Sequence, residues 1–127
     1  MFQDVRVLVV DDSSTMRKII IRSLQAVGIN EIAEAGNCDD AFKALETHEP
    51  NVILLDVHIP GDDSIQFIKE VMQQQPVTVV AVCTEAQRYE MKSKATDAGA
   101  AAFLVKPFTA DTLRQKLEEV LTPNTSE

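Results

Sequence analysis

Five short apolar runs punctuate the chain, at Val5 to Val10, Ile29 to Ala35, Val52 to Leu55, Val77 to Cys83 and Ala101 to Val105, with stretches of helical length between them. Strands covered on both faces are apolar throughout, whereas half-exposed strands alternate apolar with polar residues. The strongest runs here are of the first kind. Strand and helix in regular succession predict an α/β fold, with one parallel sheet covered by helices on both faces.

The intervening stretches carry helical periodicity. Met16, Ile19, Ile20, Leu24 and Val27 share one face of a helix from Ser14 to Val27, which leaves Arg17, Lys18 and Arg22 on its other faces. Phe67, Ile68, Val71 and Met72 repeat the pattern after Asp63, and Leu113, Leu117, Val120 and Leu121 repeat it after a capping Thr109. A shorter second helix centres on Ala41, Phe42 and Leu45, and a fourth, around Met91, Ala95 and Ala98, has only a thin apolar face. Pro50 and Pro76 precede the third and fourth strands, while Gly28 and Gly99 end the first and fourth helices.

With 127 residues the chain has room for one domain, read as residues 1–121, followed by a polar tail at 122–127. Its 20 acidic residues outnumber 12 basic ones, which disfavours a nucleic-acid surface. No run approaches the roughly 18 apolar residues of a membrane span, and no basic region followed by an apolar stretch opens the chain. Cys38 and Cys83 lack the spacing of a metal or redox pair. The expectation is a cytoplasmic protein with neither a nucleic-acid partner nor membrane insertion.

Ligands of open α/β sheets bind at the carboxyl ends of the strands. There this chain offers Asp11 and Asp12 after the first strand, Asp56 after the third, Thr84 after the fourth and Lys106 after the fifth. Any one of them has an ordinary reading, since Asp12-Ser13-Ser14 alone would serve as a helix cap. Four segments converging on one rim do not. Three carboxylates and one ammonium sum to about −2, and each carboxylate pair near 4 Å repels by roughly 1 to 4 kcal/mol. A divalent cation relieves that repulsion, and oxygen-only ligands select Mg²⁺, with Mn²⁺ able to replace it. An aspartyl carboxylate can attack phosphorus, so Asp56 is read as a phosphoacceptor, with the metal, Lys106 and the Thr84 hydroxyl as donors to the phosphoryl oxygens.

The segments Leu8-Val9-Val10-Asp11-Asp12-Ser13-Ser14-Thr15-Met16-Arg17, Leu54-Leu55-Asp56 with Ile59-Pro60, Thr84, and Lys106-Pro107-Phe108 resemble the two-component response regulator receiver family, its single-domain chemotaxis members most closely. The resemblance covers nearly the whole chain. It implies a doubly wound, flavodoxin-like (βα)5 fold with strand order 2-1-3-4-5. It also implies Asp56 as acceptor, Asp12 as a direct Mg²⁺ ligand, Asp11 as a ligand largely through water, and the backbone carbonyl of His58 as a further ligand. Thr84 would move toward the phosphoryl group, Lys106 would pair with it, and Phe103 would report the switch by its packing. A cis peptide between Lys106 and Pro107 is a further expectation.

Some positions depart from the family pattern. Ile59 stands where Met is usual, Ser64 where Gly is frequent, Glu85 where a small residue follows the Thr, and Phe103 where chemotaxis members carry Tyr. Glu85 is read either as a carboxylate that repels incoming phosphate and so alters phosphorylation or hydrolysis rates, or as a plain surface charge. Without a hydroxyl, Phe103 packs but cannot donate a hydrogen bond.

As for partners, the resemblance implies a chemotaxis-type histidine kinase as donor and a stand-alone regulator that signals through its fourth helix, fifth strand and fifth helix. The receiving protein would be a flagellar motor switch protein or another target, and a phosphatase can join them. Alternatives are a phosphorelay intermediate, a phosphate sink, or a scaffold that is never phosphorylated. A phosphatase of the haloacid dehalogenase type would need a second Asp two residues past its nucleophile, where this chain has His58.

Overall fold

Each apolar run becomes a strand and each interval a helix. The elements are β1 (Arg6–Val10), α1 (Ser14–Ala26), β2 (Glu31–Ala35), α2 (Cys38–His48), β3 (Val52–Asp56), α3 (Ser64–Gln74), β4 (Thr78–Thr84), a 3₁₀ turn (Glu85–Gln87), α4 (Arg88–Ala98), β5 (Ala102–Lys106) and α5 (Ala110–Leu121). The structure, a computed structural model, describes residues 2–121. The tail expected at 122–127 lies outside the described residues.

The strands form one parallel sheet in the order β2-β1-β3-β4-β5. Successive strand residues point to opposite faces, and the apolar side chains divide accordingly. Leu8, Val10, Ile53, Leu55, Val79 and Ala81 pack with residues of α2, α3 and α4. Val7, Val9, Leu54, Val80, Val82 and Leu104 pack with Ile20 and Leu24 of α1 and Leu113 and Leu117 of α5. The strand order reverses between β1 and β3, so the helices that follow these two strands leave on opposite faces. The crevice this opens lies at the strand C-termini.

Helix starts follow local chemistry. Ser13 caps α1 by accepting from the Met16 N–H, Asp63 caps α3 through the Gln66 N–H, and the Thr109 hydroxyl accepts from the Thr112 N–H at the head of α5. Gly28 and Gly99, at φ 94 and 126, take the left-handed backbone that ends α1 and α4. The Lys106–Pro107 peptide is cis.

Three expectations change. Ile19, assigned to the buried face of α1, is 50% exposed, because the stripe facing the sheet is centred on Ile20 and Leu24. Met72 is 38% exposed, and its side chain lies over Gly99 instead of reaching the sheet. The second helix is no shorter than α3 or α4, at 11 residues each, since Asn37 caps it upstream of the apolar positions by accepting from the Asp40 N–H.

Candidate metal centre at the strand ends

The C-terminal edge of the sheet gathers the polar residues that its strands deliver. Asp56, Thr84 and Lys106 are the last residues of β3, β4 and β5 and not, as expected, the first beyond them. Ladder pairing depends on the backbone, so a polar side chain at a strand end need not end the strand. Thr84 and Lys106 are register partners, which puts them side by side. Asp11 lies one residue past β1, yet its N–H still donates to the Ala35 carbonyl at 3.1 Å.

Carboxylate oxygens of Asp11, Asp12 and Asp56 lie within 4.8 Å of one another. Asp11 and Asp56 are buried, at 1% and 7% exposure, whereas Asp12 is exposed. The Lys106 ammonium joins the two buried acids, donating to Asp11 Oδ2 at 2.9 Å and to Asp56 Oδ2 at 3.3 Å. Backbone donors take the other oxygens, with Ser13 N–H 2.9 Å from Asp11 Oδ1 and His58 N–H 2.9 Å from Asp56 Oδ1. The Ser64 hydroxyl, buried at the start of α3, donates to the Asp56 backbone carbonyl at 3.2 Å.

Charge and burial oppose one another here. Burial raises the pKa of Asp56, the His58 N–H and Lys106 pull it back, and the Asp11 charge pushes it up again, with a net rise. Burial also works against the Lys106 charge, but the Asp11 and Asp56 carboxylates outweigh it and hold the ammonium above its ordinary value.

The donor set suits a hard cation. Oxygens sharing an octahedral ion at about 2.0–2.1 Å lie roughly 3 to 4 Å apart, within a small movement of the spacing seen here. Asp11, Asp12 and Asp56 could therefore hold a divalent metal.

Of the remaining candidate residues, Thr84, Glu85 and Phe103 take no part in the hydrogen bonds of this centre, and His58 joins them only through its backbone. Thr84 is exposed, and its backbone N–H donates to Gln87 Oε1 at 3.0 Å. Glu85 is exposed in the 3₁₀ turn, 3.4 Å from Arg88. His58 is exposed and touches the site through its backbone N–H. Phe103 is partly buried, packs on the core under α2, α3 and α4, and lines a groove with Arg88, Lys92 and Lys116. The roles of Ser64, the His58 N–H and Arg17, which donates to the Asp11 carbonyl at 2.6 Å, were not anticipated from sequence. Only the Ser at 64, where Gly is frequent, offered a signal.

Comparison with known proteins converges on one family. The model of the response regulator receiver domain matches residues 7–118. The chain is 33% identical to the chemotaxis protein CheY of Bacillus subtilis, over 91% of this chain and 97% of that protein. It is 32% identical to the transcriptional regulatory protein PdtaR of Mycobacterium tuberculosis, spanning 89% of this chain and about half (55%) of PdtaR. Among solved structures, chemotaxis protein CheY4 of Vibrio cholerae superposes with a TM-score of 0.81 at 33% identity, covering 91% of this chain and 98% of that one.

Proposed function

Because the chain belongs to the response regulator receiver family, whose domains are phosphoacceptor signalling modules paired with histidine kinases, we propose that it is a phosphorylation switch with Asp56 as acceptor. A carboxylate oxygen of Asp56 attacks the phosphorus of a kinase phosphohistidine. An O–P bond forms, the P–N bond breaks, and the leaving imidazole nitrogen keeps the electron pair and takes a proton from solvent. The side chain passes from −1 to about −2. Lys106 offers a charged donor to the new oxygens, and the His58 N–H and Ser64 hydroxyl hold the acceptor's carboxylate and carbonyl while it reacts.

Asp11, Asp12 and Asp56, with the His58 carbonyl, would hold Mg²⁺, or Mn²⁺ in its place. When bound, the ion neutralises charge on the phosphoryl oxygens. Thr84, exposed at the end of β4, adds its hydroxyl after moving inward, and slow self-dephosphorylation returns the switch to rest. The observation that carries this reading is the Lys106 ammonium, which joins two buried carboxylates within a cluster of three.

Incubation with acetyl phosphate and Mg²⁺ should add one phosphoryl group to the wild type and none to Asp56→Asn. Labelling that persists in the variant would refute the acceptor assignment.

For output, the reading points to α4, β5 and α5. Thr84 and Lys106 sit on the strand pair that also carries Phe103, so drawing both toward Asp56 alters its packing. The adjoining groove, about 460 Å³, is lined by Arg88, Lys92 and Lys116 against Glu119, a balance suited to an acidic segment of a protein partner. Likeness to CheY proteins favours a flagellar motor switch protein as that partner. Beryllofluoride should raise affinity for the motor switch. If affinity stays flat while the phosphoryl group passes to another histidine, the protein is a relay intermediate or a phosphate sink.

A further inference from the structure

Arg17 was expected only on an outer face of the first helix, yet its side chain is just 18% exposed and reaches two other segments. Its Nε donates to Glu34 Oε1 on β2 at 2.7 Å, and its Nη1 donates to the Asp11 carbonyl at 2.6 Å. The guanidinium also lies against the chain just beyond β2, where a Cβ added at Gly36 would be 3.3 Å from Nη1.

We propose that Arg17, seated by Glu34 and Gly36, is a positioning residue that holds the Asp11–Asp12 peptide in the orientation a divalent cation needs; this rests on the metal reading above. The Asp11 backbone is gripped at both ends, its N–H by the Ala35 carbonyl and its own carbonyl by Arg17. That carbonyl belongs to the peptide leading into Asp12, so fixing its direction restrains the backbone that carries the exposed Asp12 carboxylate. A planar guanidinium can serve β2 and this loop at once because its donors diverge in a fixed fork, which a lysine ammonium does not reproduce.

Positioning and simple charge predict opposite signs. Removing the Arg17 charge leaves Glu34 unpaired and the site more negative, which by Coulomb's law alone would tighten cation binding. Loss of orientation would weaken it. Lys18, exposed on the same helix and without an ion pair among the described residues, supplies the charge-matched control.

The test is calorimetric titration of each full chain with MgCl₂ alone at fixed ionic strength, with folding followed by circular dichroism. Arg17→Gln should bind Mg²⁺ about tenfold more weakly, the range of a lost partner behind a metal ligand. Lys18→Gln should match the wild type or bind slightly tighter. Gly36→Ala changes no charge and, since Gly36 is not among the positive-φ glycines, imposes no backbone strain. It should make the guanidinium give by a few tenths of an ångström and weaken binding about two- to threefold, which keeps the proposal testable if Arg17→Gln fails to fold. Mg²⁺ affinity unchanged or raised in folded Arg17→Gln and in Gly36→Ala would overturn the proposal. A wild type that binds no Mg²⁺ would overturn the metal reading and the proposal with it.

Discussion

At 7% exposure, Asp56 has lost most of its water and keeps its charge through two donors, the His58 N–H and the Lys106 ammonium. That compensation is partial, because burial still leaves its pKa raised. Asp56→Asn is therefore expected to melt at a higher temperature than the wild type without metal, and added Mg²⁺ should narrow the gap; a differential scanning calorimeter reads both. Cys38 shows the same physics outside the site, for burial and then the Asp62 carboxylate push its thiol up to about 12. A pKa raised in the folded state stabilises below the unfolded value and loses that contribution as pH climbs through the folded one. The Cys38 contribution should hold through neutral pH and be lost from about pH 9 toward 12, so Cys38→Ala should lose stability less steeply across that range, measured by urea unfolding. Asp56, Lys106 and the acid pair were legible as residues because their types and order already carry the chemistry. The His58 N–H and the Ser64 hydroxyl were not, since each acts through a hydrogen bond to backbone or carboxylate that residue type alone does not specify.

Among the elements, α4 is held most thinly, burying only Ala95 and Ala98, while α3 buries Ser64, Phe67, Ile68 and Val71. Few buried apolar contacts mean a low local opening energy. Amides of α4 should exchange with deuterium at least about tenfold faster than those of α3, as amide exchange by NMR would show; equal protection would contradict this. The end of α4 is fixed more firmly. Gly99 sits at φ 126, and an added Cβ would come within 2.7 Å of Met72 Cγ on α3. Gly99→Ala should cost about 1–3 kcal/mol in equilibrium unfolding, from left-handed strain and the displacement of Met72. Helix existence was readable from sequence, as were the caps at Ser13 and Thr109, whereas the Asn37 and Asp63 caps of α2 and α3 emerged only in the structure. Periodicity proved less able to say how much of an apolar face is buried. Ile19 and Met72 kept helical spacing but lay at the edges of their stripes, where burial depends on what the neighbouring element covers.

The whole molecule is one sheet with two apolar layers, and adjacent residues of the central strand serve different layers. Leu54 packs with α1 and α5, Leu55 with α2, α3 and α4, and both are fully or nearly fully buried. Leu54→Ala and Leu55→Ala should each cost about 2–5 kcal/mol, and each should shift one common unfolding transition, because the shared strands couple the layers. Two separate transitions in chemical denaturation would contradict that coupling. By itself the sequence determined the α/β class, the succession of elements and the residue types at the strand ends, since these follow from local periodicity, capping and the apolar character of strands covered on both faces. The strand order in space had to be taken from family resemblance. Only the tertiary structure decided that Lys106 joins Asp11 and Asp56 across separations of 95 and 50 residues, or that Arg17 reaches from α1 to Glu34 and the Asp11 carbonyl. Those contacts depend on how strands and helices pack, and no local pattern along the chain encodes the direction of a side chain toward a segment so distant in sequence.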